Sequence, residues 1–210
     1  MLKCGSRLLR HTPVLRLYRM CAVARWVTQG MDGPPPHEFK AQTLKCYARR
    51  YGLKQFVETG TYMGAMLDSM RSAMDQMWSV ELSSHLYERA VMLFRHDPHI
   101  HILHGNSANV LPQIIDCVTG PCLFWLDAHY SGGITAGDNE GETPLMQELS
   151  CILSHLSSSD HVILIDDARC LDGHKGYPRI AEIETLVHYK SPKMNVASLN
   201  DIVRITPKQV

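Results

Sequence analysis

The sequence contains no CxxC pair, no GxGxxG, no stretch of 18 unbroken apolar residues and no net charge. Each absence excludes something. The seven cysteines, at positions 4, 21, 46, 117, 122, 151 and 170, are odd in number and scattered. They read as reduced thiols of a cytoplasmic protein, not as a disulfide framework. Without a long apolar run, no membrane-spanning helix is expected. Lys plus Arg equals Asp plus Glu at 21 each, so the chain as a whole lacks a nucleic-acid signature and no nucleic-acid partner is expected. Internal repeats and long low-complexity segments are absent as well.

What is present suits a globular protein. Hydrophobic residues make up 45% and charged residues 20% of 210 positions, enough for one domain with a full core, or one domain with an appendage. The appendage would be the front of the chain. Lys3, Arg7, Arg10, Arg16, Arg19 and Arg25 precede Asp32, and no acid does. The segment admits three readings: a helix packed on the domain, a basic helix making peripheral contact with an anionic membrane, or an organellar transit peptide. GMDGPPP at 30–36 reads as a linker, giving a basic helical segment with its linker over 1–36 and a catalytic domain over 37–210.

Beyond the linker, strand and helix patterns alternate. Strands are expected at 55–58, 77–81, 100–104, 122–127 and 161–166. Helices are expected at 39–51, 65–74, 84–95, 108–117, 144–156 and 179–189. The tail reads as two short strands around Leu199 and Asn200. This pattern makes an α/β fold with a doubly wound, mostly parallel sheet. Ligands of such sheets gather beyond the carboxyl ends of the strands.

Acids recur at those ends: Glu58, Glu81, Asp127, Asp166 and Asp167. Clustered carboxylates raise one another's cost of ionisation, so a cation or hydrogen-bond donors must compensate. After the first strand comes ETGTYMG, where Gly60 and Gly64 permit a sharp turn and a close ligand approach. Thr59 and Thr61 flank one glycine where a nicotinamide dehydrogenase would carry GxGxxG. Glu81, 21 residues past Gly60, is placed to accept hydrogen bonds from a ribose diol.

ETGTYMG followed by SVELS resembles the S-adenosylmethionine site of class I methyltransferases. The likeness covers about 39–207, including a sheet that ends in an antiparallel hairpin, seven strands in all, as in the Rossmann-like methyltransferase fold. It implies a cofactor site of Glu58, Thr59, Gly60, Thr61, Gly64, Glu81 and Asp127. HGNSANVLP resembles the family segment that contacts adenine, which adds Asn106 and Ser107, although the family commonly has Asp at the position of Asn106.

CLFWLD and VILIDD place Asp127, Asp166 and Asp167 on adjacent strands, a hard oxygen site suited to Mg²⁺. The pattern resembles metal-dependent O-methyltransferases of the catechol and antibiotic-sugar types, so a small-molecule or sugar acceptor is implied. There a divalent ion lowers the pKa of an acceptor oxygen and orients it. Arg169 is the alternative compensator. His129, two residues past Asp127, is the expected base, with Asp127 beside it in the catalytic set. Catechol-type enzymes carry a lysine where Tyr130 stands. Gly132, Gly133, Gly137 and Gly141 suit a mobile lid, and His174 and Lys175 are further expected acceptor contacts. The histidines at 96, 99, 101 and 104 and the Met-rich stretch MGAMLDSMRSAM read as surface and core, not as sites. Two rival functions stay open: a nucleotide-binding oxidoreductase, and a non-catalytic ligand-binding relative of the methyltransferase fold.

Overall fold

The computed structural model describes residues 13–127, 143–155, 160–174 and 176–208. Helices α1 (Pro13–Thr28) and α2 (His37–Arg50) precede the sheet. There follow β1 (Gln55–Thr59), α3 (Ala65–Met70), β2 (Gln76–Glu81), α4 (Ser84–Phe94), β3 (Ile100–His104), α5 (Ser107–Ile115) and β4 (Cys122–Leu126). The second half holds α6 (Leu145–Leu153), β5 (Val162–Ile165), a 3-10 turn at Ala168–Cys170, α7 (Ile180–Lys190), β6 (Met194–Leu199) and β7 (Ile202–Pro207).

The strands form one seven-stranded sheet in the order β3-β2-β1-β4-β5-β7-β6. The first five are mutually parallel, and β7 runs antiparallel between β5 and β6. The chain order reverses between β1 and β4, the switch point where a crevice opens at the strand ends. A plain dinucleotide-binding sheet ends in a parallel sixth strand, so the terminal hairpin argues against the oxidoreductase reading.

Both faces are covered, which is why CLFWL and VILI are continuously apolar, not alternating. Phe56, Met77, Leu123, Trp125 and Leu164 pack with Ala41 and Leu44 of α2 and with Leu67 and Met70 of α3. Val57, Val80, Phe124, Leu126 and Ile163 pack with α5, α6 and α7 through residues such as Leu111, Leu149 and Ile183. Met66, Met70 and Met74 are buried, so the Met-rich stretch is largely core.

Most boundaries shift by one to three residues, and three of the differences have a clear backbone reason. α3 ends at Met70 instead of residue 74, because the Asp75 and Gln76 N–H groups both donate to the Lys54 carbonyl and pull the chain into β2. β1 extends to Thr59, whose carbonyl accepts the Asp127 N–H at 3.1 Å and carries the ladder past the strand end. The hairpin turns at Asn200 and Asp201, φ 49° and 60°, a pair of left-handed residues matching the twist of a two-residue turn. The segment 30–36 folds α1 back on α2. Trp26, 5% exposed, meets the Phe39 ring at 4.8 Å and donates from Nε1 to the Gly33 carbonyl, while Leu17, Tyr18 and Met20 stay exposed.

One buried polar group in this core titrates. His161 is fully buried, and its Nδ1 accepts the Cys122 N–H at 3.2 Å. The neutral ring therefore carries its proton on Nε2, 3.0 Å from Nδ1 of His155. Burial, and then the neighbouring His155, lower the His161 pKa to about 4. Its neutral form is the native one. The stability this contributes is complete above the unfolded histidine value and is lost as pH falls from there toward about 4. Between pH 7.5 and 5.5, parent stability from this group should fall by about 1 kcal/mol. His161→Asn keeps an acceptor for Cys122 but cannot titrate, so denaturant unfolding at both pH values should show a smaller pH-dependent difference in the variant. Equal differences in the two proteins would refute this assignment.

Candidate active site

The parallel ladder brings the expected carboxylates to one rim. The Gly60 and Thr61 N–H groups donate to the Val80 carbonyl, the Gly105 N–H to that of Glu81, the Asp127 N–H to that of Thr59 and the Asp166 N–H to that of Leu126. Each bond fixes one strand end against the next. Along the rim, Glu81 and Asp127 both bear electrostatically on Glu58, and Asp127 and Asp167 on Asp166. One ligand-capable oxygen each of Asp127, Asp166 and Asp167 lies within 4.8 Å of the others.

The compensating cations come from elsewhere. Lys40 of α2 places Nζ 2.5 Å from Oδ2 of Asp166 and 3.5 Å from Oδ1 of Asp167. Arg169 donates from Nη1 to Oδ1 of Asp167 at 2.9 Å and also pairs with Asp201 in the hairpin turn. The Arg169 N–H and the Ala168 N–H both bond to Asp201 as well, so the hairpin holds the segment after β5 in place. Asp167 itself sits in the left-handed region at φ 53°, a strained conformation for a non-glycine residue.

These charges act on one another. Burial and then the Asp127 charge push the Asp166 carboxyl up to about 7, against the pull of Lys40. Lys40 is raised as well, because Asp166, Asp167 and Asp127 outweigh the effect of its burial. Among the described residues, Lys40 and Arg169 are the cations that reach these carboxylates, and the acids facing Lys40 hold its proton on. Glu58, 2% exposed, is pushed well up by burial; its hydrogen bond from Ser79 opposes this, and Asp127 and Glu81 add to it.

The turn after β1 forms the other half of the site. Gly60 adopts φ 90° and Gly64 φ 71°, conformations that side-chain-bearing residues avoid. A Cβ at Gly64 would lie 2.9 Å from the Phe94 ring. Glu81 accepts the Tyr62 N–H at 2.7 Å on Oε2 and the Ser83 N–H at 2.9 Å on Oε1, which orients its carboxylate and leaves further lone pairs for ligand hydroxyls. The Thr59 hydroxyl is buried and has no hydrogen-bond partner among the described residues. Thr61 points inward instead: its hydroxyl is 2.6 Å from that of Ser79, which donates to Glu58 at 2.8 Å. Asn106 caps α5 by accepting the Ala108 N–H, with the buried Ser107 as the first helical residue.

His129, Tyr130 and the glycines of the following loop lie outside the described residues, as does Lys175. His174 is exposed, and its N–H donates to Asp172. His99, His101 and His104 hydrogen-bond separately to the Arg71 carbonyl, the Gln76 side chain and the Leu82 carbonyl.

Solved structures share the fold. SAH-bound Podospora anserina methyltransferase PaMTH1 is 14% identical over 100% of this chain and 99% of its own, with a TM-score of 0.58. The chain has the class I methyltransferase fold. An O-methyltransferase from Bacillus cereus in complex with SAH is 11% identical over 96% of each chain, TM-score 0.57. The 23S rRNA methyltransferase ErmE is 13% identical over 80% of this chain and 68% of its own, TM-score 0.51. No family model and no curated protein matches the sequence.

Lys40 is the candidate-site residue that sequence reasoning missed. Its signal was present but faint: it stands one residue before buried Ala41 and four before buried Leu44, so a lysine lies on the core stripe of α2. With side chains only 15% and 3% exposed, Lys40 and Asp166 form a sheltered pair. Breaking such a pair from one side costs about 3–5 kcal/mol. Lys40→Met should lose stability on that scale, and Lys40→Met/Asp166→Asn should recover most of it. A single-variant cost below about 0.5 kcal/mol in denaturant unfolding, the range of ordinary surface changes, would show the pair to be inconsequential.

Proposed function

We propose that the protein is an S-adenosylmethionine-dependent methyltransferase acting on a hydroxyl of a small molecule or sugar. The observation that carries this reading is the turn at the switch point. There Gly60 and Gly64 take left-handed conformations beside a Glu81 carboxylate held by two backbone N–H groups. A cofactor lying over Gly60 would find Glu81 for its ribose, Asn106 and Ser107 for its base, and the unpartnered Thr59 hydroxyl beside Glu58 and Asp127. Thr61 and Gly64 shape the turn beneath it. The methyl group would pass in line from the sulfonium to the acceptor oxygen, whose proton goes to a base. His129 and Asp127 are the residues we assign to that step.

The acceptor class follows from charge. Six of the 21 basic residues precede Asp32 and none of the 21 acids does, so residues 32–210 carry a formal charge of −6. The acidic rim on a net-negative body would repel a phosphate backbone, which favours a neutral or cationic small acceptor over RNA.

Asp127, Asp166 and Asp167 are also the residues we assign to a divalent metal such as Mg²⁺. Their hard oxygens, within 4.8 Å of one another, fit such an ion, although Lys40 now holds two of the three carboxylates, Asp166 and Asp167. A bound divalent ion would acidify and orient the acceptor hydroxyl.

Two experiments test these assignments. Calorimetry should show S-adenosylhomocysteine binding to the parent and at least roughly tenfold weaker binding to Gly60→Val and Glu81→Ala, with both variants folded by thermal melting. No binding by the parent, or undiminished binding by both variants, would refute the cofactor site. For the metal, EDTA should abolish methyl transfer from labelled S-adenosylmethionine, and Mg²⁺ or Mn²⁺ should restore it. Asp127→Asn should lose turnover while keeping cofactor affinity. If transfer survives exhaustive chelation, the metal assignment is refuted.

A further inference from the structure

A second site lies at the opposite end of the sheet. Ile205 of β7 pairs with Ile163 near the start of β5, so Thr206 to Lys208 lie beyond the amino ends of the parallel strands, away from the acidic rim. There the C-terminal end of α2 and the β6–β7 hairpin border an open cavity of about 530 Å³. Its walls include Tyr47, Arg50, Tyr51, Arg204, Thr206 and Lys208; three of its nine lining residues are cationic and none is acidic.

Arg204 decides the reading. It is 8% exposed, and no carboxylate among the described residues pairs with it. Its Nη1 donates to the Leu199 carbonyl and, at 2.7 Å, to that of Ile202; Tyr47 bonds to it as well. Carbonyl and phenol oxygens satisfy donors but supply no counter-charge. Burial accordingly lowers the Arg204 pKa, with Tyr47 opposing. Arg204 lines the cavity with Nη1 turned to those carbonyls, and no acid stands among the cavity's walls, so an arriving anion would supply the missing counter-charge.

The other walls are shaped for the same guest. Arg50 stands over the Tyr51 ring at 5.6 Å, which holds an exposed guanidinium at the mouth. The Tyr47 and Tyr51 rings are nearly parallel, at 3° and 6.1 Å, and offer apolar faces. Lys208 is pinned by donating to the Pro192 carbonyl at 2.7 Å. The volume falls in the range of small-molecule pockets, roughly 300–1,000 Å³. Two arginine forks and a lysine suit phosphate oxygens.

We propose that this cavity binds a phosphate-bearing ligand through Arg50, Arg204 and Lys208, independently of the methyl-transfer rim. A concave site on a body whose residues 32–210 are net negative favours a compact phosphate ester over an extended polyanion.

The test uses the full chain saturated with S-adenosylhomocysteine, or untreated if that compound does not bind, with sodium pyrophosphate as probe at constant ionic strength. Calorimetry should show one saturable site. Arg50→Ser and Lys208→Met should each weaken it roughly tenfold, one charge-assisted contact being lost in each. Arg49→Ser, on an exposed neighbour outside the cavity, should leave it unchanged. Arg204→Met should abolish binding if it folds; Arg50 is exposed, so Arg50→Ser carries the test regardless. Sedimentation with phosphatidylcholine vesicles, with and without phosphatidic acid, separates the sources. Retention that needs phosphatidic acid and is lost in Arg50→Ser identifies a lipid headgroup; pyrophosphate binding without such retention identifies a soluble phosphate ester. No saturable pyrophosphate binding, or binding indifferent to both Arg50→Ser and Lys208→Met, overturns the proposal.

Discussion

The rim depends on one electrostatic constraint: acids from four adjacent strand ends crowd together and must be compensated. Two like charges 4 Å apart cost about 4 kcal/mol at an effective dielectric near 20. The fold meets this by bringing in a helix and a hairpin. α2 lends Lys40, and the β6–β7 turn lends Asp201 to hold Arg169 against Asp167. Elements that look like packing layers are thus also parts of the site.

α2 links the two ends of the molecule. Near its start it presents Lys40 to the acidic rim, and near its end Tyr47 and Arg50 to the basic cavity. Ten residues of helix separate Lys40 from Arg50, about 15 Å at 1.5 Å per residue. One helix therefore satisfies negative charge at the carboxyl ends of the strands and gathers positive charge at the other. The chain is neutral as a whole, yet its charge is sorted by place.

Much of this was legible in the sequence. The alternation of strands and helices was readable because strands buried on both faces are short continuous apolar runs and the helices between them keep a 3.6-residue stripe. Glu58, Glu81, Asp127, Asp166 and Asp167 were readable as a set because a parallel sheet puts every strand's carboxyl end on one side. Element ends were less legible. α3 stopped early at Met70 because Lys54, on the neighbouring connection, captured two N–H groups of the following turn. Nothing within the helix itself carried that information.

The sequence by itself determined which residues form strands, which turn needs glycine and which carboxylates face one rim, since all three follow from local periodicity and the polarity of a strand. Only the tertiary structure decided what answers those charges. Lys40 and Asp166 are 126 positions apart, and their meeting depends on how α2 crosses the sheet. Arg169 was foreseen as a possible counter-charge, but its anchoring by Asp201 required the hairpin to close beside β5. Arg204 could not be told from a solvated arginine until the burial of its strand was known. Coulomb energy depends on distance and burial, and neither is a property of any short stretch of sequence.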